Sequence, residues 1–181
     1  MPNWCNVAIT IESKDQDKLK DIWDVIWADG DGEESYETDN ANLMNLYPVP
    51  EEVLVGDGGY SWAVKNWGTK WEMDISVCEL SPECIVLSGL TAWSPPLALL
   101  NHVAKKWEVT TQCSYYEEGM DFVGAYYASP DNEYVSEGSI SDNTTPVEDY
   151  DNHDWSQTMD EIHELIDEHE SIVLRQAGVM V

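Results

Sequence analysis

The apolar residues of this chain change period in a fixed order, and that order restricts the fold more than any other feature. "WCNVAITIE" alternates, with Val7, Ile9 and Ile11 on one face of a strand. "DQDKLKDIWDVIWA" then places Leu19, Ile22, Trp23, Ile26 and Trp27 at helical spacing. "MDISVCEL" and "CIVLSGLT" alternate again around Ser81-Pro82, as a hairpin does. "SPPLALLNHVAKKW" returns to the helical period, with Ser94 as the expected N-cap and prolines in the first turn. "EVTTQCSYYEE" is a further strand and "FVGAYYAS" an additional one. The order β-α-β-β-α-β with one extra strand is that of an α+β, ferredoxin-like split βαβ sheet.

Three segments fall outside the alternation. Residues 29–60 read as an acidic, glycine-bearing connection whose "YPVPEE" forbids regular structure. Residues 136–153 read as a flexible acidic linker. After them Trp155, Met159, Ile162, Ile166, His169 and Val173 share one stripe, which predicts an amphipathic helix with acids on its outer face. The stripe packs on its own domain, or it docks a partner or a second copy of the chain. The expected organisation is a ferredoxin-like domain over 1–135 with the insertion at 29–60, followed by the linker and acidic helix over 136–181. Nine Trp, nine Tyr and 43% apolar residues suffice for a core, so wholesale disorder is not expected.

In the antiparallel sheet order usual for this topology, 4-1-3-2, the starts of the first two strands and the ends of the next two lie at one edge. That edge gathers "MPNWCN", "NWGTKW", "TAWSPP" and "YYEEG". Asn3, Trp4, Asn66, Trp67, Lys70, Trp71, Trp93, Glu117 and Glu118 thereby converge. As structure, the indoles wedge the strand ends and Lys70 pairs with Glu117 or Glu118. As a site, Asn66, Trp67, Lys70, Trp71, Trp93, Glu117 and Glu118 form an aromatic-walled pocket for a small ligand or peptide. Lys70 beside carboxylates is shifted the wrong way for a nucleophile, so the pocket is not expected to be catalytic.

These same segments carry a resemblance. "MPNWC" followed by Asn6, the "PVPEE" run, "NWGTKW", "TAWSPP" and the set Tyr116, Glu117, Glu118, Gly119, Phe122 and Gly124 are similar to the YubB ferredoxin-like domain family of plasmid and phage proteins. The matching segments extend over about residues 1–124 and fade after about residue 130. The resemblance implies a ferredoxin-like fold and a mobile-element origin, and it implies no activity.

Charge supplies the functional expectation. Eight Lys and Arg oppose 36 Asp and Glu, a net of −28. Residues 21–60 hold eleven acids and no base, and residues 111–181 hold seventeen acids with Arg175 as their one base, whereas residues 61–110 sum to −1. Such a surface repels phosphate backbones and anionic membranes and attracts basic partners. The expected function is therefore non-enzymatic: binding and inhibiting a basic, nucleic-acid-handling host protein, a nuclease or other DNA-binding factor, in the manner of a DNA mimic. Asp29, Asp31, Glu33, Glu34, Glu37, Asp39, Glu148, Asp149, Asp151 and Asp154 are the carboxylates expected to occupy the partner's phosphate sites. The expected setting is the host cytoplasm, since no secretory leader and no apolar run of membrane length is present in the sequence. The alternative is a small-ligand binder or enzyme using the Trp-rich edge.

No metal or other cofactor is expected. "DGDGEESYETDN" starts like a calcium loop but has Glu34 where the sixth position needs Gly and Asn40 where the twelfth needs Glu. "HELID" lacks the second His of a zinc-protease helix, having Asp167 there, and His153, His163 and His169 make a weak ligand set. Cys5, Cys78, Cys84 and Cys113 have no C-x-x-C spacing and read as free thiols, with Cys78 and Cys84 facing across the hairpin.

Overall fold

A computed structural model describes residues 3–28, 41–54, 58–145 and 155–179. Six strands form one antiparallel sheet: β1 (Trp4–Glu12), β2 (Asp74–Leu80), β3 (Cys84–Ala92), β4 (Thr110–Glu117), β5 (Phe122–Ala128) and β6 (Glu133–Gly138). Their spatial order is β2-β3-β1-β4-β5-β6, so the expected 4-1-3-2 arrangement is extended past β4 by two further hairpin strands. Among the described residues four α-helices accompany it: α1 (Gln16–Ile26), α2 (Gly58–Asn66), α3 (Leu97–Trp107) and α4 (Trp155–Gln176).

Alternation along β1 decides the two layers. Cys5, Val7, Ile9 and Ile11 are buried against α1 and α3, together with Leu19, Ile22, Ile26, Leu99, Leu100 and Val103. α1 forms where its apolar residues recur every three to four positions, and Asp15 caps it by accepting from the N–H of Asp17 and Lys18. On the opposite face α4 lies over β4, β5 and β6. There Ile162 meets Val123 and Ile140, with Met159, Ile166 and Tyr116 around them.

The connection between α1 and β2 is more ordered than its prolines suggest. Leu43–Leu46 and Glu51–Val53 are short 3-10 turns, and Leu43, Met44 and Leu46 are fully buried in the main core. Residues 58–66, whose first three the sequence assigns to the connection, are helical. Residues 136–138 close β6 rather than opening a linker. Beyond β6, Asp121 accepts from the Ser141 N–H and from the Ser139 and Ser141 hydroxyls, which pins the chain past the sheet edge. Ser94 is not the cap of α3: Pro96 occupies that position with no side-chain hydrogen bond. Register also corrects the hairpin thiols. A bulge between Ile75 and Val77 places Cys78 opposite Leu87, while Leu80 faces Ile85. All four cysteines are free.

Candidate functional site

The antiparallel register brings the four Trp-rich segments to one end of the sheet: Trp4 pairs with Ala92, Asn6 with both Leu90 and Tyr116, and Asp74 with Leu90. Within that edge the hexapeptide "NWGTKW" divides into two parts with different work.

Its first four residues are a corner. Asn66 ends α2, donating from Nδ2 to the Trp62 carbonyl and accepting from the Tyr47 hydroxyl. Trp67 is 6% exposed, and its indole N–H donates to the Tyr47 carbonyl at 2.8 Å. Gly68 stands at φ 90°, in the left-handed region where a side chain is strained, and a Cβ there would also press on the Pro95 carbonyl at 3.2 Å. Across the same gap Ser94 Oγ donates to the Gly68 carbonyl at 2.6 Å, Thr69 Oγ1 donates to the Ala92 carbonyl at 2.8 Å, and the Leu99 N–H donates to the Trp67 carbonyl at 3.2 Å. Those three bonds stitch the end of α2 to the β3–α3 turn.

The last two residues face outward. Lys70 Nζ lies 4.3 Å from the Trp93 ring centroid, 4.5 Å from Trp71 and 5.6 Å from Tyr60. Tyr60 meets Trp93 edge-on at 6.5 Å, so three half-exposed rings surround one ammonium, and Trp4 packs edge-on against Trp71 at 6.3 Å. Tyr60 was not among the residues singled out from the sequence. It enters through α2, a helix with weak apolar periodicity that starts on two glycines, and no local signal marks it.

Trp93 is held there by an unusual backbone. Its φ is 74°, a genuine outlier for a bulky residue. The Trp93 N–H donates to the Asn3 carbonyl at 2.9 Å, and Thr91 Oγ1 donates to the Ser94 carbonyl at 2.9 Å, fixing the turn on both sides.

Lys70 does not pair with Glu117 or Glu118. Among the described residues its ammonium meets no carboxylate and donates to no oxygen. Glu117 is 5% exposed and instead accepts from the Gly119 and Met120 N–H groups, shaping the β4–β5 turn, while Glu118 is exposed. The expected set therefore separates: Lys70, Trp71 and Trp93 share a surface with Trp4 and Tyr60, whereas Asn66, Trp67 and Glu117 serve the corner and the turn.

Beside the rings runs an open groove of about 480 Å³, lined by Val49, Leu54, Tyr60, Trp67, Lys70, Trp71 and Glu72 among others. A second concavity of about 500 Å³ lies on the sheet face that α4 leaves uncovered, floored by Ala8, Ser88 and Ser114 and walled by His163 and Ile166. His169, by contrast, is tied through Nδ1 to Ser136 Oγ at 2.7 Å.

The acidic sites fall elsewhere. Asp29, Asp31, Glu33, Glu34, Glu37 and Asp39, with Glu148, Asp149, Asp151 and Asp154, lie outside the described residues, as do His153 and the calcium-like loop. Within them α4 turns Asp160, Glu164, Asp167 and Glu168 to solvent, opposite its buried Ile162 and Val173. None of these four is salt-bridged; the one pair among the described residues is Lys18–Glu108 at 3.5 Å. No group of three or more metal-ligating side chains gathers among the described residues. No helix among them is long and apolar enough to cross a membrane.

Comparison with known proteins places this architecture. No curated protein and no solved structure matches the chain. A family model described as the ferredoxin-like domain in Api92-like protein matches residues 67–170, more than half of the 181. The match begins at Trp67 and runs through β6 into α4, past the point where the sequence resemblance fades. The chain belongs to the family of the ferredoxin-like domain in Api92-like protein.

Proposed function

We propose that this chain is a non-enzymatic binding protein, encoded by a plasmid or phage, that inhibits a basic nucleic-acid-handling protein of the host cytoplasm by presenting carboxylates where that partner expects phosphates. The observation that carries the reading is the outer face of α4, where Asp160, Glu164, Asp167 and Glu168 are exposed and form no salt bridge among the described residues. They span about 12 Å of helix at 1.5 Å per residue. One strand of duplex DNA carries a phosphate every ~3.4 Å of axis, a comparable linear density. The helix is seated on the sheet by its other face, so the charges are displayed on a fixed support. The net charge of −28 adds long-range attraction for a basic partner. The test is affinity for a captured host partner as salt rises from about 50 to 200 mM, using the parent and a D160N/E164Q/D167N/E168Q variant. Affinity that falls with salt and with the four substitutions supports the reading. Affinity indifferent to both removes it.

A second reading is favoured by a different observation. Trp93, half-exposed on a left-handed backbone, meets Lys70 beside a groove of about 480 Å³ that the rings of Tyr60, Trp67 and Trp71 line. That is the size range of small-molecule clefts. Strained backbone persists where surrounding contacts enforce it and gathers at binding sites. This edge would bind a small ligand independently of the acidic helix.

A further inference from the structure

We infer that the groove beside Lys70 takes a ligand with a flat aromatic body and a single negative charge, an aromatic carboxylate, and that Lys70 is the residue that reads the charge. The inference rests on the second reading above, that the Trp-rich edge holds a small molecule.

The ammonium is the starting point. In a chain with 36 carboxylates, Lys70 Nζ has none within ion-pair range among the described residues, and it donates to no protein oxygen there. Its neighbours are the faces of Trp93 and Trp71 at 4.3 and 4.5 Å and of Tyr60 at 5.6 Å. Ring faces attract a cation but leave its three N–H donors without the strong acceptors an ammonium otherwise takes from water. A cationic guest is disfavoured, because the rings already hold a cation of the chain itself and a second would meet like charge. An anionic oxygen arriving at Nζ gains a charge-assisted bond instead.

The rest of the groove sets the body of the ligand. Tyr60, Trp67 and Trp71 supply aromatic walls, and Val49, Leu54 and Ala63 supply apolar surface, so a planar apolar group is complementary. Glu72 shares the lining. Its carboxylate opposes a second negative charge on the ligand, which selects a monoanion over a phosphate dianion. The groove thus joins an apolar slot to one cation and one anion.

Two probe pairs, each differing at the anionic group, test this. Dissociation constants for indole-3-acetate and indole-3-acetamide, and for AMP and adenosine, are read from the NMR shifts of the Trp71 and Trp93 indole N–H signals. Indole-3-acetate should bind roughly tenfold tighter than the amide, the factor a single charge-assisted hydrogen bond provides. Lys70→Met keeps the apolar stem and should abolish that preference while leaving amide binding within about twofold; Lys70→Arg should retain the preference. Equal binding of acid and amide, or a preference that survives Lys70→Met, overturns the inference while leaving a ligand groove. A preference for AMP over adenosine without one for the indole acid replaces carboxylate by phosphate and overturns it too. No shift with any probe at millimolar concentration removes both the inference and the reading beneath it.

Discussion

Trp67 and Trp93 carry the same side chain on neighbouring segments, and their environments predict opposite behaviour. Trp67 is 6% exposed with its N–H bonded to the Tyr47 carbonyl, so Trp67→Ala should cost roughly 3–5 kcal/mol in denaturant unfolding. Trp93 is 42% exposed at φ 74°. Trp93→Gly gives up half-buried ring contacts but relieves a left-handed backbone worth roughly 1–2 kcal/mol, so its melting temperature should stay within about 4 °C of the parent. From the sequence both indoles read as wedges at a strand end, because periodicity reports which face a residue is on and not how a turn aims it. Lys70 illustrates the same limit. Its presence at the edge was legible from strand order, but its choice of rings over Glu117 depends on the Trp93 backbone and on the two N–H groups that claim Glu117. The thiols allow a pH prediction. Burial lifts Cys5 from 9.0 to about 12 and Cys78 to about 11, and pushes Cys113 up as well. The native state holds these protons more tightly than the unfolded chain, so the stability they contribute is whole below pH 9 and is lost as pH rises toward 11–12. Unfolding midpoints measured from pH 7 to 11 should fall on the alkaline side, and Cys5 and Cys113 should resist alkylation at neutral pH until the protein is unfolded.

At the scale of elements, the strands β1 to β5 and the helices α1, α3 and α4 could be read because each repeats its apolar residues over two or more periods. α2 and β6 could not. α2 buries only Ala63 and starts on Gly58-Gly59 after a proline-bearing run, so neither periodicity nor propensity announces it. β6 is an edge strand of exposed and half-buried residues, "EYVSEG", held by its ladder to β5 and by His169 on Ser136. The buried turn Leu43–Leu46 was hidden for a related reason: four residues are too few to show a period. α4 was legible in both its faces, and the two should separate experimentally. Ile162, fully buried between Val123 and Ile140, should cost roughly 2–5 kcal/mol when changed to Ala. Each of D160N, E164Q, D167N and E168Q on the opposite face should leave stability within about 0.5 kcal/mol by the same unfolding measurement. Binding lost in the second group is then lost recognition, not lost folding.

For the whole molecule, the charge map and the fold divide the surface. All seven lysines lie between Lys14 and Lys106, on and around α1, α2 and α3 and at the Trp-rich edge, while α4 with its exposed acids covers the other face of the sheet. On the proposed function, a basic partner would be steered toward the α4 side, and the encounter rate should fall with salt more steeply than the dissociation rate rises. The central claim is that carboxylates of this protein occupy the phosphate sites of a basic partner. Fluorescence anisotropy of a labelled DNA duplex bound to that partner tests it most directly, with this chain as the competitor. The duplex should be released in proportion to added chain, and the D160N/E164Q/D167N/E168Q variant should release it far less effectively. Duplex and chain held together by one partner molecule, with anisotropy unchanged at saturation, would contradict the claim.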